Sequence, residues 1–516
     1  MPIKKEIIII GSGHNALVAA CYLAQAGKKV LILEKNETIG GATVSQKTFP
    51  EYEARLSRYS YLISLLPGKI IDDLQLELTL LTRKTASYTP YGENEGLLIS
   101  NLDDDITKKS FDKLGHGEAE WQGYQSVLKS SKKFAELIWA EMLQPLKSKQ
   151  EWKSLFKKNG AEQLWQDFVE RPIGEFIEKH IKSDVLRGVL LTDAKIGSFT
   201  YAHDPDLLQN RTFIYHVIGN KTGEWKVPKG GMGHLINQLH SKALALGVEF
   251  LTKSEVTNID VLQQIVITSQ SQFSYDQLLF NAAPQVLDQL VLSQKPQTSM
   301  GKSAREGTAF KINILLKRLP KLKDPSVSPQ DAFCGTFHIH QNYSEQETSY
   351  REALAGKVPE TFPCEMYCHT LTDDSILSDE LRKMGFHTIT VFGLDMPYSL
   401  FEQNNEERKT YVWQKFLKGI NSYLKEPFES CIATNKDGSL CVEYKSAVDL
   451  EKDLALPKGN IFHNDLSWFF AENETNIGKW GVETPYRNIN LCGSGALRGG
   501  AVSGIPGYLA AKKLLE

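Results

Sequence analysis

The 516-residue chain lacks most of the features that would send a reading elsewhere. No run of about eighteen apolar residues occurs, so no segment is expected to span a membrane. The opening, MPIKKEIIIIG, has too short an apolar run for a secretory signal, and without a transit-type leader the expected location is cytoplasmic. Lysine and arginine (59) nearly balance aspartate and glutamate (62), giving a formal charge of −3 with no long basic run. Nucleic acid is therefore not expected as a partner. Cysteine is sparse and odd in number, seven in all, scattered as a reducing compartment allows. None of the seven makes the C-x-x-C or C-x4-C spacing of a redox dithiol; Cys364 and Cys368 (CEMYC) sit in what reads as a strand. No His, Cys and carboxylate set has a metal-binding spacing, and no metal is expected. Repeats, low-complexity tracts and obvious linkers are missing too, so the organisation has to be read from the order of motifs.

What is present begins at once. Ile7 to Ile10 form a short β-branched run of the kind a buried parallel strand needs. Gly11, Ser12, Gly13, His14, Asn15 and Ala16 follow as a G-x-G-x-x-A turn, then LVAACYLAQAG as a helix and KVLILE as a second strand. Gly11 permits the tight turn, Gly13 lets the backbone approach a pyrophosphate, and Ala16 keeps helix and strand close. The helix start offers free N–H groups to the phosphates. Glu34 ends the second strand, followed by Lys35, where a carboxylate can hold ribose hydroxyls. The adjacent Gly40, Gly41 and then Ala42 resemble the extended fingerprint of FAD-binding flavoproteins rather than a plain NAD site. Ala42-Thr43 stand where many such proteins place an arginine, removing one expected cation.

The far end supplies a second constellation, NINLCGSGALRGGAVSGIPGYLAAKKLLE over residues 488–516. Six glycines fall within fifteen residues between a short apolar strand and a helix, which is not linker composition. A backbone brought close to a flat ligand explains it, with Gly493, Ser494, Gly495, Gly500, Ala501, Val502 and Gly504 as contacts. The last helix would then aim its N-terminus at the reduced flavin ring. The competing explanation is glycine-mediated helix packing.

The two glycine constellations, together with LSRYSYLISLLP (56–67), WKVPKGGMGHL (225–235), FNAAP (280–284), FKINILLKRLP (310–320) and LPKGNIFHNDLS (456–467), resemble the phytoene desaturase-like FAD-dependent oxidoreductases. Within them the blocks are most similar to the family of pyridine nucleotide-disulphide oxidoreductase domain-containing protein 2 and its bacterial relatives. The resemblance implies FAD as cofactor and an α/β fold: a Rossmann-like FAD-binding domain of the glutathione reductase/amine oxidase type interleaved with an α+β substrate domain. The FAD domain is expected over 1–68, 225–304 and 459–516. The substrate domain, with a helical insertion, is expected over 69–224 and 305–458. By the same resemblance Val256 meets the adenine through its backbone, and Ala283 of FNAAP lies on the return to the cofactor. No second strand-turn-helix fingerprint is present: Gly230, Gly231 and Gly233 follow a Pro-Lys turn, so reduction by bound NAD(P)H is not expected.

A flavin does the hard chemistry, and the catalytic side chains are hard to read. Arg58, His463 and Arg498 are the candidates, as electrostatic partners of the ring or substrate; Arg58 has an equal reading as a structural salt bridge. His338 and His340 alternate and should share a strand face. The leading expectation is hydride removal from a largely apolar, lipid- or polyene-like small molecule, with oxygen or a quinone-like compound as electron acceptor. Helices carrying Trp121, Trp139, Trp152 and Trp165 offer a peripheral membrane contact, or else core aromatics. A flavin amine oxidase, with Trp468, Phe469 and Phe470 available as a cage, is the first alternative. A flavoprotein acting through a protein partner is the second. Oligomeric state is not readable.

Overall fold

The computed structural model describes residues 1–291 and 305–516, and is built on two seven-stranded sheets. The first is the nucleotide-type sheet. Ile3–Ile10 lies at its centre, parallel to Val30–Leu33 on one side and Gln272–Phe280 on the other. Glu249–Leu251 extends it beyond Val30–Leu33, and Ile489–Leu491 pairs in parallel with Leu278 to Phe280. An antiparallel meander, Val256–Asp260 and Ile265–Thr268, occupies the other half of that last edge. Ile7 to Ile10 are all buried, as a strand covered on both faces must be. Each such side chain contributes about 1.5–3 kcal/mol.

The helices His14–Gln25 and Ile505–Leu515 pack against each other on one face of this sheet. Small residues make the approach possible: a Cβ on Gly507 would stand 2.0 Å from the carbonyl oxygen of Asn15. The fingerprint helix and the tail helix are therefore fixed to one another through their backbones.

The second sheet runs Val442–Lys445, Phe310–Leu316, His387–Gly393, Cys364–Tyr367, Thr336–Ile339, Thr85–Tyr91, Glu95–Ser100. All its pairings are antiparallel except that between Thr336–Ile339 and Thr85–Tyr91. The stretch 69–224 was expected to be helical, yet it supplies two of these strands. Their alternation (TASYTPY, EGLLIS) mixes Thr, Ser, Tyr and Pro with aliphatics and leaves a weak period-2 signal. The segment NEERKTYVWQKFLKGIN forms one long helix, Asn405–Asn421. The upper end of the middle FAD segment, 304, lies outside the described residues.

A helical block includes Gly117–Ile138, Ile173–His180, Asp184–Thr192 and Leu208–Val217, the third of which packs on Thr85–Tyr91 of the second sheet. Its tryptophans are core residues: Trp139, Trp152 and Trp165 are buried, and Trp121 packs on Phe111 and Tyr124. The membrane contact expected of them loses its carriers. No helix among the described residues is long and apolar enough to cross a membrane. The block is locked to the second sheet by a fully buried ion pair, Lys195 to Asp395 at 2.8 Å, with Lys195 also donating to the Gln346 carbonyl at 3.1 Å.

Candidate functional site

One large chamber, about 690 Å³, runs from the fingerprint turn to the face of the second sheet. At its first end the strand Ile3–Ile10 gives way to Gly11 (φ +89°), a conformation that glycine adopts without strain. Gly13 caps the helix with no side-chain bond, so the first helical N–H groups face the chamber without intrahelical partners. A Cβ on Gly13 would meet Asn281 Nδ2 at 2.8 Å, so the turn is held tight from below. Glu34 is buried and accepts from Ser12 N at 3.0 Å, Ser12 Oγ at 2.6 Å and Asn36 N at 2.9 Å. Its carboxylate thereby braces the phosphate-type turn as well as lining the chamber. Ser254, Glu255 and Val256 close this end.

Of the residues expected at a cofactor, Gly11, Ser12, Gly13, His14, Asn15, Glu34, Lys35, Gly41, Ala42, Val256, Ser494, Ala501 and Val502 line the chamber. Ala16, Gly40, Ala283, Gly493, Gly495, Gly500 and Gly504 do not, and each has a packing reason. Ala16 and Ala283 are wholly buried. A Cβ on Gly40 would press Ile236, one on Gly493 the Asn281 carbonyl, one on Gly495 Pro284, and one on Gly504 Val18. Gly500 (φ +98°) packs on Leu466, Tyr215 and Phe462. The tail glycines thus serve both readings: some bring Ser494, Ala501 and Val502 to the chamber, and others seat the last helix. Gly231 and Gly233 pack on Ser45, where their missing Cβ atoms leave room for that strand rather than for a nucleotide.

The residues fit FAD on direct observations. Bare helix N–H groups, the Gly13 close approach and the ribose-side Glu34 are in one cleft. Beside them, His14 Nε2 and Asn15 Oδ1 are buried with no hydrogen-bond partner. His14 Nδ1 meets Thr43 Oγ1 at 3.0 Å, and burial lowers its imidazole to about 4. His463 (φ +65°) also lines the chamber, with Nδ1 unpartnered and burial lowering it to about 4. Both imidazoles are neutral at physiological pH.

The other two candidates lie elsewhere. Arg58 is clamped by Glu443, with Nε 3.0 Å from each carboxylate oxygen, and donates to Gln46 Oε1 at 3.1 Å. It is the structural ion pair, tying the end of the first segment to the second sheet. Arg498 is buried and spends its donors on main-chain oxygens of Glu141 (3.2 Å), Gln144 (2.7 Å) and Trp480 (3.2 Å). Burial lowers its guanidinium to about 10, opposed in part by the carboxylates of Glu483 and Glu141. Neither lines the chamber. Phe469 and Phe470 pack on Trp152 and Trp165, so the 468–470 run builds core and no cage. His338 faces the chamber, whereas His340 lies past the strand end (φ +52°) against Glu345 at 3.2 Å.

The second end of the chamber holds groups that sequence reasoning missed. Leu450, Leu454, Leu456, Phe392, Ile461 and Phe462 make an apolar wall. Tyr61 and Tyr367 stand with ring centroids 4.7 Å apart. Lys311 Nζ donates to the Tyr59 carbonyl at 2.8 Å and lies 3.9 Å from the Tyr61 centroid. Burial drives its amine well below the usual lysine range. Beyond it are Arg83, Asp193, His338 and Glu365. Lone charged residues inside otherwise apolar strands, Lys311 in FKINILL and Glu365 in CEMY, were the available signal. The cysteines flanking Glu365 are inert: burial pushes Cys364 well above its ordinary value and Cys368 up to about 12.

Comparison with known proteins agrees with this architecture. Residues 9–66 match the NAD(P)-binding Rossmann-like domain family. An uncharacterized protein of Mycobacterium tuberculosis is 38% identical over 99% of this chain and 97% of its own length. Pyridine nucleotide-disulfide oxidoreductase domain-containing protein 2 of Rattus norvegicus is 28% identical over 98% of this chain and 92% of its own. Among solved structures, a putrescine oxidase variant superposes with TM-score 0.59 at 16% identity, covering 100% of this chain and 99% of that one. An oxidoreductase from Methanosarcina mazei does so with TM-score 0.59 at 14% identity, covering 99% and 100%. At such identities the likeness is one of fold.

Proposed function

The chain belongs to the oxidoreductase family of these mycobacterial proteins and pyridine nucleotide-disulfide oxidoreductase domain-containing protein 2, and on that premise we propose that it is an FAD-dependent enzyme removing hydride from a largely apolar substrate. One observation carries the reading: a single chamber joins the fingerprint turn to an apolar-walled space at its second end.

Bound FAD would supply the two-electron acceptor. The chain's own groups do the remaining work. The helix start at His14–Ala16 would receive the pyrophosphate, Glu34 would face the ribose, and the Val256 backbone would meet the adenine. The wall from Leu450 to Phe462 excludes water from the reacting C–H. His14 and His463 are held uncharged by burial, and each can take a proton released as the substrate is oxidised, while burial also lowers the Lys311 amine beside them. Oxygen or a quinone-like molecule is the acceptor this reading expects, since the sequence carries no second strand-turn-helix fingerprint for NAD(P)H.

Oxidation of an amine is the second reading, for which Tyr61 and Tyr367 offer aromatic lining to the chamber, although their rings pack on each other rather than standing apart as walls. Action through a protein partner alone finds no support in a chamber of this size. The test is anaerobic reduction of the purified yellow protein, followed at the flavin bands, with NADH, NADPH, amines and lipid or polyene extracts. Bleaching by an apolar substrate or an amine is the expected result. Bleaching by NADH or NADPH, or a colourless protein that FAD does not reconstitute, refutes the proposal.

A further inference from the structure

A second, much smaller cavity lies behind the wall of the chamber. It measures about 40 Å³ and is bounded by the helix Leu208–Val217, by Leu65, Met142 and Ile218, and by the stretches 466–469 and 498–505. Tyr215 borders both spaces. Gly500 is the other partition: a Cβ on it would stand 3.0 Å from Tyr215 and from Leu466, and 3.2 Å from Phe462. The two residues that follow, Ala501 and Val502, line the chamber. One phenol ring and one glycine thus separate this cavity from the part of the tail that reaches the cofactor cleft. On its outer side, Arg211, Ser467 and Trp468 are partly exposed, so the cavity has a way in from solvent that does not pass through the chamber.

Size and lining restrict the occupant. The space exceeds the roughly 10–15 Å³ that one water needs, yet it is far too small for the ring of a quinone. Leu65, Met142, Ile214, Ile218 and Leu466 give it hydrocarbon walls. Its polar side chains are engaged elsewhere. Arg498 donates to three main-chain oxygens, Ser467 Oγ accepts from Arg498 N at 3.1 Å, and Ser503 Oγ accepts from Ile505 N at 3.2 Å. Arg211 donates from Nη1 to the Asp206 carbonyl at 2.9 Å. The side-chain atoms left without a partner are the buried Nε of each arginine. A buried water is normally held by about three hydrogen bonds, whereas apolar cavities stay dry and take up small apolar molecules.

We propose that this cavity holds molecular oxygen beside the cofactor cleft, and that oxygen rather than a quinone is the electron acceptor. The proposal rests on reading the chamber as the site of a flavoenzyme. Dioxygen is small, uncharged and apolar, and it fits a space that excludes larger acceptors. On passing Tyr215 into the chamber it gains two electrons and two protons and leaves as hydrogen peroxide. The electrons and one proton come from the reduced cofactor, and the other proton comes from solvent. The Arg498 guanidinium, fixed at the cavity wall, favours the negative charge that develops on oxygen as the first electron arrives.

The experiment is NMR of the full-length protein with ¹³C-labelled methionine methyl groups. Met142 lines the cavity, while Met232, Met366 and Met396 are buried and line neither space, so they serve as internal references. Under oxygen pressure the Met142 methyl is expected to relax severalfold faster than those three, and xenon should shift it saturably. Ile214→Phe and Leu466→Phe fill the cavity from two different walls, and each should abolish both effects. After photoreduction under nitrogen, reoxidation by oxygen, followed at the flavin bands, should slow severalfold in both variants. Three results overturn the proposal: a Met142 methyl that behaves like the references, an oxygen effect that persists in both filled variants, or bromide that shifts Met142 saturably and blocks the oxygen effect. A colourless protein defeats the flavoenzyme reading and leaves the Met142 signal readable. A yellow protein with a silent Met142 defeats the cavity alone.

Discussion

Replacing Asp193 by asparagine is expected to stabilise the ligand-free protein, and to do so more at alkaline than at acidic pH. Burial raises this carboxyl from an ordinary 3.8 to about 7, opposed only in part by Arg83. Between those two values the folded chain keeps a proton that the unfolded chain releases. Stability therefore falls as pH rises through the interval, and the loss is complete above the folded value. A shift of about three units corresponds to about 4 kcal/mol at full ionisation. Of this, about 2.5 kcal/mol develops between about pH 5 and about pH 8.5. Asparagine fills the same space and does not titrate. Any cost of its unbonded amide is the same at both pH values and cancels in the comparison. Urea unfolding of both proteins at each pH, read by tryptophan fluorescence, gives the difference directly. If the stability gap between D193N and wild type is the same at both pH values, Asp193 is not a desolvated acid and the reasoning fails. The same scan on E365Q should show a gap that keeps widening to higher pH, because Glu365 is raised to about 8.

Gly507→Ala places a methyl group 2.0 Å from a backbone oxygen of the fingerprint helix, so the last helix has to move outward. A loss of about 1–3 kcal/mol in thermal or urea unfolding is expected, together with weaker flavin retention on gel filtration, since Ala501 and Val502 move too. Lys195→Met strands Asp395 and should cost about 3–5 kcal/mol, whereas Lys195→Met with Asp395→Leu should recover most of it in the same unfolding assay. Glu34→Ala removes the acceptor for Ser12 N, Ser12 Oγ and Asn36 N. FAD affinity, followed by flavin fluorescence, should fall by roughly 30-fold or more. Unchanged affinity in that variant counts against the cleft as the dinucleotide site.

The parallel centre of the first sheet was legible because three of its strands end in a short apolar run next to a turn with demanding stereochemistry: IIII before Gly11, LLF before Asn281, INL before Gly493. Such runs are buried on both faces, and their local composition is enough to find them. The second sheet was harder. Thr85–Tyr91 and Glu95–Ser100 have one face toward the chamber and mix polar with apolar residues, so their pattern resembles a loop. The glycines illustrate a different limit. Sequence marks a position that needs room, but it does not say whether a ligand or a neighbouring helix fills that room. Gly41 turned out to line the chamber, and Gly40 beside it packs on Ile236. Arg58 and Arg498 were offered for their charge and position near the cofactor segments, yet their environments are made by Glu443 and by three distant carbonyls. The inner end was the least legible part. Arg83, Asp193, Lys311 and Glu365 come from four separate stretches, and only the assembly of the second sheet, with the helix Asp184–Thr192 packed on it, brings them together.

The parallel edge formed by Ile489–Leu491 on Leu278 to Phe280, and the seating of Ile505–Leu515 on His14–Gln25, also set an order of assembly. During synthesis the fingerprint helix emerges early with one flank bare, and its cover is made after every other part of the chamber. Until then the cleft has a floor and no lid, and the exposed edge at Phe280 is an open invitation to another nascent chain. A dinucleotide that bound early would stand in for the missing strand and helix, so cofactor supply would govern the yield of soluble protein as well as its activity. Cells starved of flavin should accumulate this chain in chaperone complexes or aggregates rather than as a folded apoprotein.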